Sequence, residues 1–394
     1  MKKVLIAGGG IGGLTAALAL LKRGFDVEVY EQASVLKEVG AGLQLSANCN
    51  RVLYELGLGE DLQRLSCEAT GKEVRLWSTG DTWKLFDLGA QSVARYGYPY
   101  FTVYRPDLLS VLAAGVRACK PDAIHLGARS IGFEQDGDGI SLLLEHGAAR
   151  GDVLIGADGV HSRIRQGLFG ADRPEFTGLM AWRGVIPMAR LPERMRRMVG
   201  TNWVGPGGHV VNYPLRAGEL MNFIGVRERG DWQVESWSVA GNIDEALADF
   251  SGWHADIQLM LRAIDVPYKW ALMQRAPLPR WSVGRVSLLG DACHSTLPFL
   301  AQGAAMTIED GFILARALAA YADAGVALEH YEAARLSRTT RMVKGAAANA
   351  KRFHNPELSH VEGARAYVDR EWNEARVKER YEWLFTYDVT TVAV

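Results

Sequence analysis

Five glycines in six positions, Gly8-Gly9-Gly10-Ile11-Gly12-Gly13, constrain this chain more than any other feature. They follow a short apolar stretch, residues 4–7, and precede an Ala/Leu-rich stretch, residues 14–21. The local order is therefore strand, glycine turn, helix. In a dinucleotide-binding unit, Gly8 permits the tight turn, Gly10 lets the backbone approach a pyrophosphate, and Gly13 packs helix against strand. The helix N-terminus then offers unpaired N–H groups and the positive end of its dipole to the phosphates. A second apolar strand, residues 27–30, leads to Glu31, eighteen residues past Gly13, where a carboxylate can accept from ribose hydroxyls.

Lys2 and Lys3 ahead of the uncharged residues 4–21 also resemble a signal peptide or a membrane span. Helix-breaking glycines at the centre argue against both, and no other segment is long and apolar enough to span a bilayer. The expectation is a cytoplasmic protein with no membrane partner. A chain of 394 residues, 48% hydrophobic and 23% charged, can bury a substantial core and divides into two domains. A net charge of −1 gives no support for nucleic-acid binding. Cys49, Cys67, Cys119 and Cys293 lack paired metal-ligand spacing, so no metal site is expected and a reducing compartment fits.

Further along, Gly42 and Gln44 lie in a glycine-rich turn that begins at Val39 and Gly40, and a helix is predicted over residues 47–56. Residues 60–100 give little. Arg105 and Pro106 open a helix, with Pro106 suited to its first turn; an arginine there can reach a phosphate, or sit at the surface. Two strands around the turn 135–139 form a hairpin. A third, residues 152–155, runs into Gly156-Ala157-Asp158-Gly159 and a basic helix. Residues 176–267 read as a separate, mainly antiparallel layer, its strand-like runs followed by two helices near 243–250 and 255–264. In it His209, Val211 and Tyr213 share one face of a strand, bordering a polar pocket or lying in a half-buried sheet. A buried-type strand, residues 285–289, then ends at Gly290-Asp291, and a long helix starts at Gln302 or Gly303. Residues 326–382 read as charged amphipathic helices, and the aromatic segment from Tyr381 to Asp388 as docked chain rather than disorder.

The order GGGIGG with Glu31, then GADGVHSRIR, then GDACHSTLPFLAQGAAM resembles the single-component FAD-dependent aromatic hydroxylases over nearly the whole chain. The resemblance implies an α/β fold: a Rossmann-like FAD-binding domain of the p-hydroxybenzoate hydroxylase type, an inserted antiparallel β-sheet substrate domain and C-terminal helices. The divisions expected are 1–175 with 268–345, then 176–267, then 346–394. It implies cofactor contacts for Gly8, Gly10, Ile11, Gly13, Glu31, Gln32, Gly42, Arg105, Asp158, Asp291, Gly303 and Ala304, with Gln32 standing where many members carry an arginine.

Within that family the segments GAGLQLSAN, HVVNYPLRAGEL and YEWLFTYD look most like hydroxylases of salicylate, 3-hydroxybenzoate and 6-hydroxynicotinate. The likeness implies His209 and Tyr213 as catalytic residues, either of them the base, and Gln44, His209, Tyr213 and Pro298 as substrate contacts. Pro298 replaces a glutamine found in some 3-hydroxybenzoate enzymes. NADH or NADPH would reduce the FAD, and a C4a-hydroperoxyflavin would transfer oxygen to an electron-rich ring. No second GxGxxG is present, so the nicotinamide would bind transiently. The partners implied are a small aromatic acid and O2, in a monomer or homodimer. A non-hydroxylating oxidoreductase and a non-catalytic flavin redox sensor of the same fold are the alternatives; the halogenase signature WxWxIP is absent.

Overall fold

The computed structural model describes residues 2–36, 41–231 and 239–394; Val39 and Gly40, where the glycine-rich turn was expected to begin, lie outside the described residues. The first strand, Lys3–Ala7, is the centre of a six-stranded sheet. Val4 through Ala7 are fully buried, which is why the segment reads as an unbroken apolar run: a central parallel strand is covered on both faces. It pairs in parallel with Asp26–Glu31 on one side and Val153–Gly156 on the other. Ile124–Leu126 and Val286–Leu288 extend the sheet in parallel, and the short strand Ser282–Val283 closes one edge antiparallel.

The helix Ile11–Leu21 packs on two others, Arg105–Cys119 and Gly303–Ala320. Its contact with Gly303–Ala320 is possible only for glycine. A Cβ on Gly12 would lie 2.1 Å from Thr307 Oγ1, and one on Gly311 would lie 2.8 Å from the Ala16 backbone nitrogen. That helix is held to Ala324–Phe353 by a buried ionic cluster. Arg335 Nε donates to Asp310 Oδ1 at 2.7 Å, Arg338 Nη2 donates to Glu309 Oε1 at 2.8 Å, and His294 Nε2 lies 2.6 Å from Asp310 Oδ2. Desolvation works against ionising Glu309 and Asp310. The arginines, with His294 beside Asp310, overcome it and hold both carboxyls below their usual range.

A seven-stranded sheet forms the second layer, in the order Tyr268–Gln274, Glu175–Pro187, Leu220–Glu228, Gly208–Leu215, Val199–Gly205, Gly71–Leu76, Thr82–Asp87. Neighbours are antiparallel except Val199–Gly205 with Gly71–Leu76. The helices Ile243–Asp249 and Ala255–Arg262 cover one face over Trp182, Trp203 and Phe223, with Phe250 at the end of the first helix packed among them. The other face looks onto the layer built on the six-stranded sheet.

This sheet draws on more chain than residues 176–267. It takes two strands from the stretch 60–100, which carries no clear pattern, and a third from 268–274. The pattern is hidden because Glu73, placed where an apolar residue would be expected, is buried in a bidentate ion pair with Arg197 and also accepts from Thr201. Helices Val361–Glu371 and Glu374–Phe385 follow Ala324–Phe353, and the aromatic end docks as expected, with Tyr381, Leu384 and Phe385 buried.

Candidate active site

A cavity of about 320 Å³ lies between the two layers. One end is built from the glycine turn. Gly8 has φ +108°, and a Cβ there would meet the Ala157 carbonyl oxygen at 2.3 Å; a Cβ on Gly13 would meet the Gly8 carbonyl oxygen at 2.0 Å. A Cβ on Gly10 would meet nothing within 4 Å, because Gly10 faces the cavity. The three glycines thus divide into two that the backbone requires and one that leaves room for a ligand.

Opposite, the 18-residue helix Gly303–Ala320 points its N-terminus at the same cavity, lined there by Ala301, Gly303 and Ala304. Neither this helix nor Ile11–Leu21 has a side-chain cap. Both present bare first-turn N–H groups to the cavity, where an anion or a carbonyl-rich ring can accept them. Ala301 holds a left-handed φ of 54°, a strained conformation for alanine, at the point where chain and cavity meet.

Asp291 begins just after the turn at Gly290, whose φ is 65° and where a Cβ would lie 2.4 Å from Thr307 Oγ1. Its carboxyl opens into the cavity, yet the walls desolvate it and raise its pKa, against the lowering influence of His294 and Arg105. Gly42, Arg105 and Pro298 also line the cavity.

Asp158 is spent differently. Its carboxylate accepts from Ser162 Oγ and from the backbone N–H groups of Arg163 and Ile164, fixing the start of helix Arg163–Phe169, while Ala157 and Gly159 beside it line the cavity. Glu31 accepts from Gly9 N and Ala33 N at 2.8 Å, and Gln32 accepts from Arg129 Nε at 3.3 Å, both beyond the cavity lining.

The sheet forms the other wall. Registered neighbours Asn202, Val211, Ile224 and Arg183 lie in one row across four strands, and His209 and Trp270 belong to the next row. As expected from their alternation, His209, Val211 and Tyr213 all face the cavity. Tyr213 sits under Gly42, where a Cβ would meet its ring at 2.5 Å. Gln44 ties the polar end together. Its Oε1 accepts from Lys72 Nζ at 3.1 Å and from Tyr100 Oη at 2.8 Å, and its amide hydrogen-bonds Tyr213.

Burial raises the pKa of Tyr213 and so keeps it a neutral phenol; burial lowers the pKa of Lys72 to about 8 and holds His209 well below the ordinary imidazole value, with His354 adding to the effect. His209 Nδ1 lies 2.7 Å from His354 Nε2, and its ring packs edge-on to Phe299.

A family model described as "FAD binding domain" matches residues 1–346. The 3-amino-4-hydroxybenzoate 2-monooxygenase PtnB3 of Streptomyces platensis is 37% identical over 99% of this chain and 97% of its own length. The chain belongs to this FAD-binding flavoprotein monooxygenase family. The 3-hydroxybenzoate 6-hydroxylase of Polaromonas naphthalenivorans is 35% identical, over 98% of this chain and 96% of its own. Among solved structures, Klebsiella pneumoniae HpxO, complexed with FAD and uric acid, superposes with a TM-score of 0.83 at 27% identity, over 99% of this chain and 97% of that one.

FAD fits the residues present: the open side of Gly10, two uncapped helix N-termini and the carboxylate of Asp291 all border one cavity. The sequence reading missed Lys72, Tyr100, Arg183, Asn202 and His354. Lys72 and Tyr100 lie in the stretch left unread, and nothing local separates Arg183 or Asn202 from other strand residues. His354 is the residue just past a 30-residue helix and meets His209 only through the tertiary fold.

Proposed function

We propose that this flavoprotein monooxygenase hydroxylates a small hydroxylated aromatic acid of the 3-hydroxybenzoate, salicylate or hydroxynicotinate type, with NADH or NADPH as electron source. One observation carries the reading: the glycine cradle for FAD and a polar pocket containing Lys72, His209, Gln44 and Tyr213 open onto the same cavity. FAD, once reduced, supplies the oxygen-transfer chemistry.

The chain's own residues do the rest. Lys72 is the cation for the acid's carboxylate, with Gln44 fixing its position. His209, neutral because it is buried, takes the phenolic proton, which raises electron density ortho and para to that oxygen. Tyr213 stays protonated and donates to the ring substituent. Val211, Ile224, Leu297 and Trp270 keep water from the reacting ring. Pro298 borders the ring's far side.

Relatives that act on 3-amino-4-hydroxybenzoate, 3-hydroxybenzoate and, at 33% identity, 6-hydroxynicotinate (in Pseudomonas fluorescens) support the substrate class. The four free cysteines and a net charge of −1 suit work in the cytoplasm, as a monomer or homodimer. The same reading assigns 1–175 with 268–345 to the cofactor, apart from the strands 71–76, 82–87 and 268–274 that join the sheet of 176–267 on the substrate side, and leaves 346–394 as a C-terminal helical segment. A panel of aryl acids scored for stimulation of NADH and NADPH oxidation, with products identified by mass, tests it. Stimulation and a hydroxylated product from a phenolic acid are expected; no stimulation by any member overturns it.

A further inference from the structure

His209 is the first of three groups in line. Its Nδ1 lies 2.7 Å from His354 Nε2, and His354 Nδ1 lies 3.1 Å from Glu228 Oε1. Both rings are buried, whereas the Glu228 side chain is 57% exposed. The line therefore runs from the cavity wall to bulk water. The backbone ties its outer two members together through Gly207: Glu228 N donates to the Gly207 carbonyl at 2.9 Å, and Gly207 N donates to the His354 carbonyl at 3.4 Å. His354 ends the helix Ala324–Phe353, and among the described residues the charges that bear on it are Glu228 and the neighbouring Arg227, which oppose each other.

We propose that His209, His354 and Glu228 form a proton relay that carries the substrate's phenolic proton from the closed cavity to solvent. This rests on the phenolic-acid reading above. With Glu228 accepting from His354 Nδ1–H, His354 Nε2 is left to accept from His209 Nδ1–H. That leaves His209 Nε2, the ring's other nitrogen, with a free lone pair for the ligand. One proton then enters and one leaves. The substrate O–H breaks as N–H forms at His209 Nε2; the proton on His209 Nδ1 passes to His354 Nε2; that on His354 Nδ1 passes to the Glu228 carboxylate and on to water. No electrons move. Return of a proton to the product oxygen by the reverse path restores the starting tautomers. His354 and Glu228 are positioning and conducting residues and need not touch the substrate.

The test uses the full-length, FAD-loaded protein mixed with 3-hydroxybenzoate or 3-amino-4-hydroxybenzoate in weakly buffered indicator solution, following proton release beside the flavin absorbance change that reports binding. The expected result is release as fast as binding in the wild type. In Glu228→Gln, a surface substitution that retains an acceptor oxygen, and in His354→Gln, release slows by about a hundredfold at unchanged affinity. Glu228→Asp, which keeps the carboxylate, restores most of the rate. Nitrogen NMR of histidine-labelled protein without substrate should show both His209 and His354 protonated at Nδ1. Wild-type release rates in both glutamine variants, or His209 protonated at Nε2, overturn the relay. Failure of both acids to perturb the flavin would overturn the substrate reading and leave the tautomer result to judge the relay.

Discussion

Replacing Lys72 with methionine separates what this residue costs the fold from what it does for a ligand. Burial lowers the Lys72 ammonium from 10.5 to about 8. At about 1.4 kcal/mol per pH unit, holding the charge in the cavity wall costs the folded protein at most about 3.5 kcal/mol, and access to solvent through the cavity reduces that figure. The sign follows from proton affinity. The folded state binds this proton more weakly than the unfolded chain does, so the cost is full below pH 8, shrinks between pH 8 and 10.5, and is gone above.

Methionine fills the same space without the charge, and Gln44 Oε1 keeps its bond from Tyr100. Lys72→Met should therefore be more stable than wild type near pH 7, by about 1–3 kcal/mol, with the difference fading towards pH 10. It should also lose a charge-assisted contact to the acid's carboxylate, worth about 1.5–3 kcal/mol, or roughly a tenfold to hundredfold weaker dissociation constant. Thermal unfolding at the two pH values and titration of the acid against the flavin spectrum read both effects. A variant no more stable than wild type near pH 7, and binding the acid equally well, would refute the reasoning.

Other substitutions probe different parts of the account. Gly13→Ala places a methyl against the Gly8 carbonyl oxygen and should cost about 1–3 kcal/mol in chemical denaturation. Gly10→Ala should leave the apo protein's melting temperature unchanged and weaken FAD binding, measured by fluorescence titration. Tyr213→Phe should retain bound flavin and leave the pH dependence of hydroxylation unshifted, since burial keeps the phenol neutral through the working range; His209→Ala should retain flavin and lose hydroxylation. Arg335→Leu removes the charge between Glu309 and Asp310 and should lower stability by about 3–5 kcal/mol in urea titration.

The Rossmann-like half was legible because its physics is local. A strand buried on both faces must be continuously apolar, and a turn at φ +108° beside a backbone oxygen must be glycine, so residues 3–13 declare themselves. His209 and Tyr213 were legible as a pair because strand alternation puts them on one face, and Gln44 and Asp291 because their motifs resemble those of a known family. The second sheet's extent was not legible. A buried Glu73 paired with an arginine 124 residues away gives no alternating pattern to read.

Lys72 and His354 were missed for a related reason. A lysine reads as surface and a histidine at a helix end reads as a cap until the fold puts one in a cavity wall and the other 2.7 Å from His209. Asp158 shows the converse. Its motif resembles a cofactor-binding one, but the Asp158 carboxylate holds the helix start, and its neighbours Ala157 and Gly159 border the cavity.

The most direct test of the whole account is to purify the protein, measure its bound flavin, and supply isotopically heavy dioxygen with NADH or NADPH and a hydroxylated aromatic acid. The account predicts a yellow protein that incorporates one oxygen atom from dioxygen into the ring of the acid. A protein that cannot be loaded with FAD, or product oxygen that comes from water, would contradict it.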